Sequence, residues 1–163
     1  MRYSARMKHA ILCIALAGCG KSAGQLPAKP STGAPMAFEV TTVKPGDHHK
    51  GELQARAYNF SDKRIARYWV LVRYRDAKGA VIRLDKGTPH ETDEDSASFS
   101  DPQMICEPAS WCNLKIGYLD VPSEAVKAEV VAKELTALKD DIHFEDKPIF
   151  EIEGPHWPAE PKS

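Results

Sequence analysis

Between residues 36 and 154, apolar and polar positions alternate in short runs, and most runs stop at a cluster of Pro, Gly, Asp or Asn. A period of two marks a half-buried strand, because successive side chains point to opposite faces of a pleated backbone. Residues 36–43 (MAFEVTTV) form the first run and end at the turn sequence Lys44-Pro45-Gly46-Asp47. Residues 51–60 place Leu53, Ala55 and Ala57 on one face and Gln54, Arg56 and Tyr58 on the other, before residues 59–63 break the pattern. Residues 65–76 (IARYWVLVRYRD) put Tyr68, Val70, Val72 and Tyr74 on one face and Arg67, Trp69, Leu71, Arg73 and Arg75 on the opposite one. Their aromatic and β-branched content predicts the central strand. Asp76-Ala77-Lys78-Gly79 predicts a hairpin turn with Gly79 left-handed, and residues 80–84 a shorter returning strand. Residues 85–103 read as a long acidic connection with a poor edge strand around 96–99. Residues 111–121 alternate again and predict Cys112, Leu114, Ile116 and Tyr118 facing the core.

Residues 123–140 (SEAVKAEVVAKELTALKD) carry two periods at once. Ala128, Val131, Ala132, Leu135 and Leu138 fit a helical stripe, while Val126, Ala128, Val130 and Ala132 alternate with Lys127, Glu129 and Lys133. A sheet already built from five or six strands needs a last member here, so strand is the assignment. The expected fold is all-β, an immunoglobulin-like sandwich of about seven strands. The alternative is α+β, with residues 123–139 helical.

The first 35 residues follow other rules. Arg2, Arg6 and Lys8 precede the apolar run AILCIAL at residues 10–16, the order of a secretory signal. That run is well short of the roughly 20 residues a membrane-spanning helix requires. The stretch ALAGCGKSAG (15–24) also spells phosphate-loop and serine-hydrolase spacings, but Pro27, Pro30 and Pro35 preclude the helix that either site needs. Its remaining reading, Leu16-Ala17-Gly18-Cys19, resembles the lipobox of bacterial lipoproteins. That resemblance implies removal of residues 1–18 and a lipidated Cys19 that anchors the protein to a membrane. Gly20, in place of the aspartate of inner-membrane lipoproteins, implies outer-membrane sorting. Residues 19–35 then form the lipidated cysteine and a flexible linker with a reach of about 20–25 Å. Residues 36–154 form the sandwich, and 155–163 a Pro-rich tail.

Loss of residues 1–18 removes three cations, leaving 19 Lys and Arg against 23 Asp and Glu, a charge of about −4. Such a chain lacks the basic footprint of a nucleic-acid binder. Cys13 departs with the signal and Cys19 takes lipid, so Cys106 and Cys112 remain as a candidate disulfide suited to an oxidising compartment. A metal site lacks nearby ligands, and a redox pair normally has closer spacing.

Candidate chemistry is sparse. His48, His49, His90, His143 and His156 show no metal-ligand spacing and read as loop residues. The run Glu91 to Asp95 lacks the glycine and terminal glutamate of a calcium loop and reads as a solvated acidic segment. No serine or cysteine stands in a recognisable nucleophile setting, so neither catalytic residue nor cofactor is assigned. Arg67, Trp69, Leu71, Arg73 and Arg75 form the candidate interaction face, since Arg and Trp are favoured in interface hot spots. The competing reading has residues 147–157 (KPIFEIEGPHW) covering that face, Ile149, Phe150, Ile152 and Trp157 on Trp69, with Glu151 and Glu153 meeting the arginines.

Residues 58–62 (YNFSD) together with 70–81 (VLVRYRDAKGAV) resemble the FxLyD-type domain of bacterial cell-envelope lipoproteins. The shared pattern is a strand ending in Asn-x-Ser, then a long strand ending in aromatic-x-Asp and a Gly turn; Val72 and the CEPASWC insert depart from it. The resemblance implies fold and envelope location, not chemistry. The expected function is a lipid-anchored envelope protein whose non-catalytic sandwich binds an envelope protein or polymer. The alternative is a small envelope metal-binding protein or hydrolase using its histidine and acidic loops.

Overall fold

The computed structural model describes residues 26–154, 156 and 157. Seven strands follow in chain order: β1 (Met36–Lys44), β2 (Gly46–Asn59), β3 (Ile65–Arg75), β4 (Asp95–Ser100), β5 (Trp111–Val121), β6 (Lys127–Ala137) and β7 (Phe150–Glu151). They form two antiparallel sheets, one ordered β1-β2-β5 and the other β4-β3-β6-β7. The connectivity is that of an immunoglobulin-like sandwich in which the fourth strand pairs with the third rather than the fifth. Within the segment 123–139, Lys127–Ala137 is strand and no residue is helical.

Alternation sets the core. Leu53, Ala55 and Ala57 of β2 and Leu114, Ile116, Leu119 and Val121 of β5 meet Tyr68, Val70, Val72 and Tyr74 of β3 and Ala128, Ala132 and Leu135 of β6. Each large side chain so buried contributes about 1.5–3 kcal/mol. The alanines of β2 and β6 leave room for two tyrosines, whose hydroxyls find acceptors. Tyr68 donates to the carbonyls of Ile65 at 2.7 Å and of Met104, and Tyr74 to Asp95 Oδ2 at 3.3 Å. Burial holds both phenols above their usual pKa, and the Asp95 carboxylate adds to the effect at Tyr74.

Of the register shifts in the two sheets, two change which side chains face the core. In β6, Trp69 pairs with Glu134 but Val70 with Ala132, so Lys133 is the extra residue. Inward positions then run Ala128, Val130, Ala132 and Leu135, two steps of two followed by one of three, so the bulge shifts the parity of the pattern by one. In β5, Leu53 pairs with Ile116 but Gly51 with Leu119, so residues 117 and 118 lie opposite one. Tyr118, expected in the core, is instead 86% exposed at φ 59°, and Leu119 takes the inward place. Gly51 allows this close approach, since a Cβ there would lie 2.5 Å from Val121 Cγ2 and 2.6 Å from the Leu119 carbonyl oxygen.

The expected returning strand at 80–84 is not formed. Asp76 makes the turn, with Oδ1 accepting the N–H of Lys78 and Ala80 and Gly79 at φ 83°, but beyond it stand only the bridges Arg75 to Val81 and Leu84 to Thr92. Asp85, left-handed at φ 49°, and the Glu91 carboxylate, which accepts the Gly87 N–H and pairs with Arg83, fold the segment back on itself.

Asn59, fully buried, ties the β2–β3 turn to the next connection. Its Nδ2 donates to the carbonyls of Lys63 and Cys106, and its Oδ1 accepts from Ser61 N and Oγ. Cys106 and Cys112 are joined, with Cα atoms 5.2 Å apart, closing the CEPASWC loop against the start of β3. Cys19 lies outside the described residues, among which no helix is long and apolar enough to cross a membrane.

Candidate functional site

The outward side chains of β3 stand in one row because alternate residues of a strand share a face, and the strand is central, with β4 and β6 on either side. Along that row burial changes sharply. Arg67 is exposed and its guanidinium lies 4.0 Å from the Phe144 ring centroid. Trp69 is half-buried, with Lys133 Nζ 3.9 Å above its ring. Leu71 is only 4% exposed. Arg73 has an 11% exposed side chain, donates from Nη2 to Asp93 Oδ2 at 2.8 Å and stacks 4.5 Å from the centroid of Trp157. Arg75 donates to Glu129 Oε1 at 2.9 Å and to the Gly79 carbonyl at 2.9 Å.

The arginine-rich half of this face is thus closed from within the molecule. The tail does contribute, but by a different contact from the one expected: Trp157 lies on Arg73 rather than on Trp69, and its Nε1 donates to Glu94 Oε2 at 2.8 Å. Glu151 sits opposite Glu134 in the short β7 pairing, while Asp93 pairs with Arg73 and Glu129 with Arg75. The acidic run at 91–95 is not simply solvated. Asp93 holds Arg73, Glu94 holds Trp157, and Asp95 accepts from Tyr74 and from the Asp120 N–H. A charge run that cancels a distant arginine row carries no periodicity of its own, which is why it reads as solvated from sequence alone.

Among the described residues, what stays open on this sheet is the region of Trp69 and Lys133 and the exposed row Ser96, Ser98 and Ser100 on edge strand β4. Ser98 pairs directly with Trp69. Three hydroxyls on one face of an edge strand follow from the alternation in SASFS, a signal legible in the sequence although the serines carry neither charge nor aromatic bulk.

The histidines are scattered. His48 and His49 form the tip of a tight turn, both left-handed at φ 53° and 60°, and His49 N–H donates to Asp120 Oδ1 at 2.7 Å. His143 stands at the opposite end of the sandwich against Asp140, at 2.9 Å. Asp140 is held down at a pKa of about 2, chiefly by the Ile142 N–H and then by the His143 ring. Among the described residues no group of three or more His, Cys, Asp or Glu is placed to hold a metal ion.

Compared with models of known protein families, with curated proteins and with solved structures, the chain finds no match.

Proposed function

We propose that this protein is a lipid-anchored component of a bacterial cell envelope, with a non-catalytic sandwich that binds an envelope protein or polymer. The signal pattern and Leu16-Ala17-Gly18-Cys19 support the anchor, and Gly20 supports outer-membrane sorting. The observation that carries the reading is where the chain joins the domain. A Pro- and Gly-rich stretch reaches the sandwich at one end, at Ala34 and Met36, so that anchoring and binding fall to separate parts of one small molecule. On the domain, the Trp69 region with Ser96, Ser98 and Ser100 offers an aromatic surface beside hydroxyls, the composition suited to a polar polymer or an extended peptide.

Intact mass of the chain made in a bacterium with its own N-terminus tests the anchor. The expected mass is that of residues 19–163 plus acyl groups, with Cys106 and Cys112 alkylated only after reduction. An unprocessed chain with no acyl group overturns the reading. Replacement of Trp69 and Ser98 together is expected to leave folding intact and abolish capture of envelope polymer by the immobilised protein; unchanged capture removes this face from the proposal.

A further inference from the structure

The two ends of the sandwich are unlike. One end receives the N-terminal segment: the Phe60 N–H donates to the Pro35 carbonyl at 2.8 Å, and Lys29 Nζ lies 5.6 Å from the Phe60 ring centroid. Here also lie the β2–β3 turn and the connections at 101–110 and 138–149. Trp111 and Ile142 stand at this end with exposures of 36% and 76%. Beside Ile142 an apolar cavity of about 380 Å³ opens between the two connections, lined by Pro102, Ile105, Leu138 and Phe144 among others. The far end carries His48, His49, Tyr118 and Val126.

Several charges at the receiving end are engaged with one another. Lys63 pairs with Glu145 at 3.0 Å, and Arg64 with Glu107 at 3.1 Å and Asp141 at 2.8 Å. Arg56 pairs with Glu39 at 2.7 Å and stacks on Trp111, and Arg67 stacks on Phe144. Asp140, beside Ile142, accepts the N–H groups of Ile142 and His143. Such a surface attracts through exposed apolar area rather than through a net field.

We infer that this end of the sandwich rests on the lipid bilayer, with Ile142 and Trp111 entering the boundary between headgroups and acyl chains. The inference rests on Cys19 being lipidated. Lys29 follows Cys19 by ten positions, which caps the distance between them at about 33–36 Å whatever the conformation of the chain. The far end lies a further strand length away, about 36 Å for an eleven-residue strand. A tether of this length holds the receiving end near the bilayer at an effective concentration in the millimolar range, so a weak contact is occupied. Trp at the headgroup level and an isoleucine below it suit a shallow seat, and Asp140 and Asp141 set its depth.

The test uses the acylated full chain, its mass verified, in vesicles of phosphatidylcholine and phosphatidylethanolamine whose acyl chains carry bromine to quench tryptophan. The three tryptophans separate the possibilities, because Trp69 lies under Lys133 and Trp157 against Arg73 and Glu94. Quenching is expected to disappear in Trp111→Phe and to persist in Trp157→Phe. Ile142→Ser is expected to lower it about twofold, since interfacial binding scales with buried apolar area. High salt or added phosphatidylglycerol is expected to leave it unchanged. Acylated protein whose quenching is absent, or survives Trp111→Phe, overturns this orientation while leaving the anchor standing. A chain recovered without acyl groups overturns both.

Discussion

The two faces of β3 are closed by different means. On the inner face Tyr68, Val70, Val72 and Tyr74 are fully buried within the core shared by β2, β5 and β6. On the outer face Leu71 is nearly as buried, yet its neighbours are arginines whose charge is met by Asp93 and Glu129, with Trp157 stacked on the Arg73 guanidinium. The inner face is held by apolar area and shape, and its closure is robust to salt and pH. The outer face is held by charged groups and long stems drawn from residues far along the chain, an arrangement of smaller net worth because ion pairs near a surface are screened. Burial alone does not reveal which kind of closure protects a side chain.

Substitutions on the two faces separate these mechanisms. Tyr68→Ala removes a fully buried ring and two hydrogen bonds and is expected to cost about 3–5 kcal/mol in urea unfolding. A loss below about 1 kcal/mol would mean the inner face is not the core. Leu71→Ala is expected to cost about 2 kcal/mol, the low end for a buried leucine, because flexible stems can collapse onto the gap. A cost equal to that of Tyr68→Ala would erase the distinction. Removing the disulfide with Cys106→Ala and Cys112→Ala together is expected to cost about 2 kcal/mol through chain entropy, whichever face is considered.

Smaller effects probe the outer face itself. In a double-mutant cycle, Arg73→Met and Trp157→Ala are expected to couple by about 0.5–2 kcal/mol. Strict additivity would mean that Trp157 does not fix the arginine. The smallest effect concerns Asp140, whose folded pKa of about 2 lies below its ordinary 3.8. Because the folded state holds the proton less tightly, its stabilisation is present above about pH 4 and fades as pH falls towards 2. The melting temperature of Asp140→Ala is therefore expected to lie below that of the unchanged protein at neutral pH and to converge with it near pH 2. A gap that persists at low pH would assign the effect to packing instead.

The alternation at 36–43, 51–60, 65–76 and 111–121 determined where the principal strands lie and which face of β3 is core, because a pleated strand cannot bury one face without a period of two. Asn59 and Ser61 likewise declared a turn, and their short polar side chains bond the backbone locally. Residues 127–137 were legible only in part: the bulge at Lys133 shifts the inward parity by one, and that shift depends on how β6 meets β3 across the sheet. Tyr118 was misplaced for the same reason, since its exposure follows from Leu119 moving inward opposite Gly51. For the candidate face, the sequence itself supplied the row of arginines and Trp69, as well as the acids and the tail. Only the tertiary structure decided that Asp93, Glu129 and Trp157 are the groups that close it and that Trp69 stays half open. Pairing between residues 20 to 84 positions apart is set by the stacking of two sheets and leaves no trace in a local period.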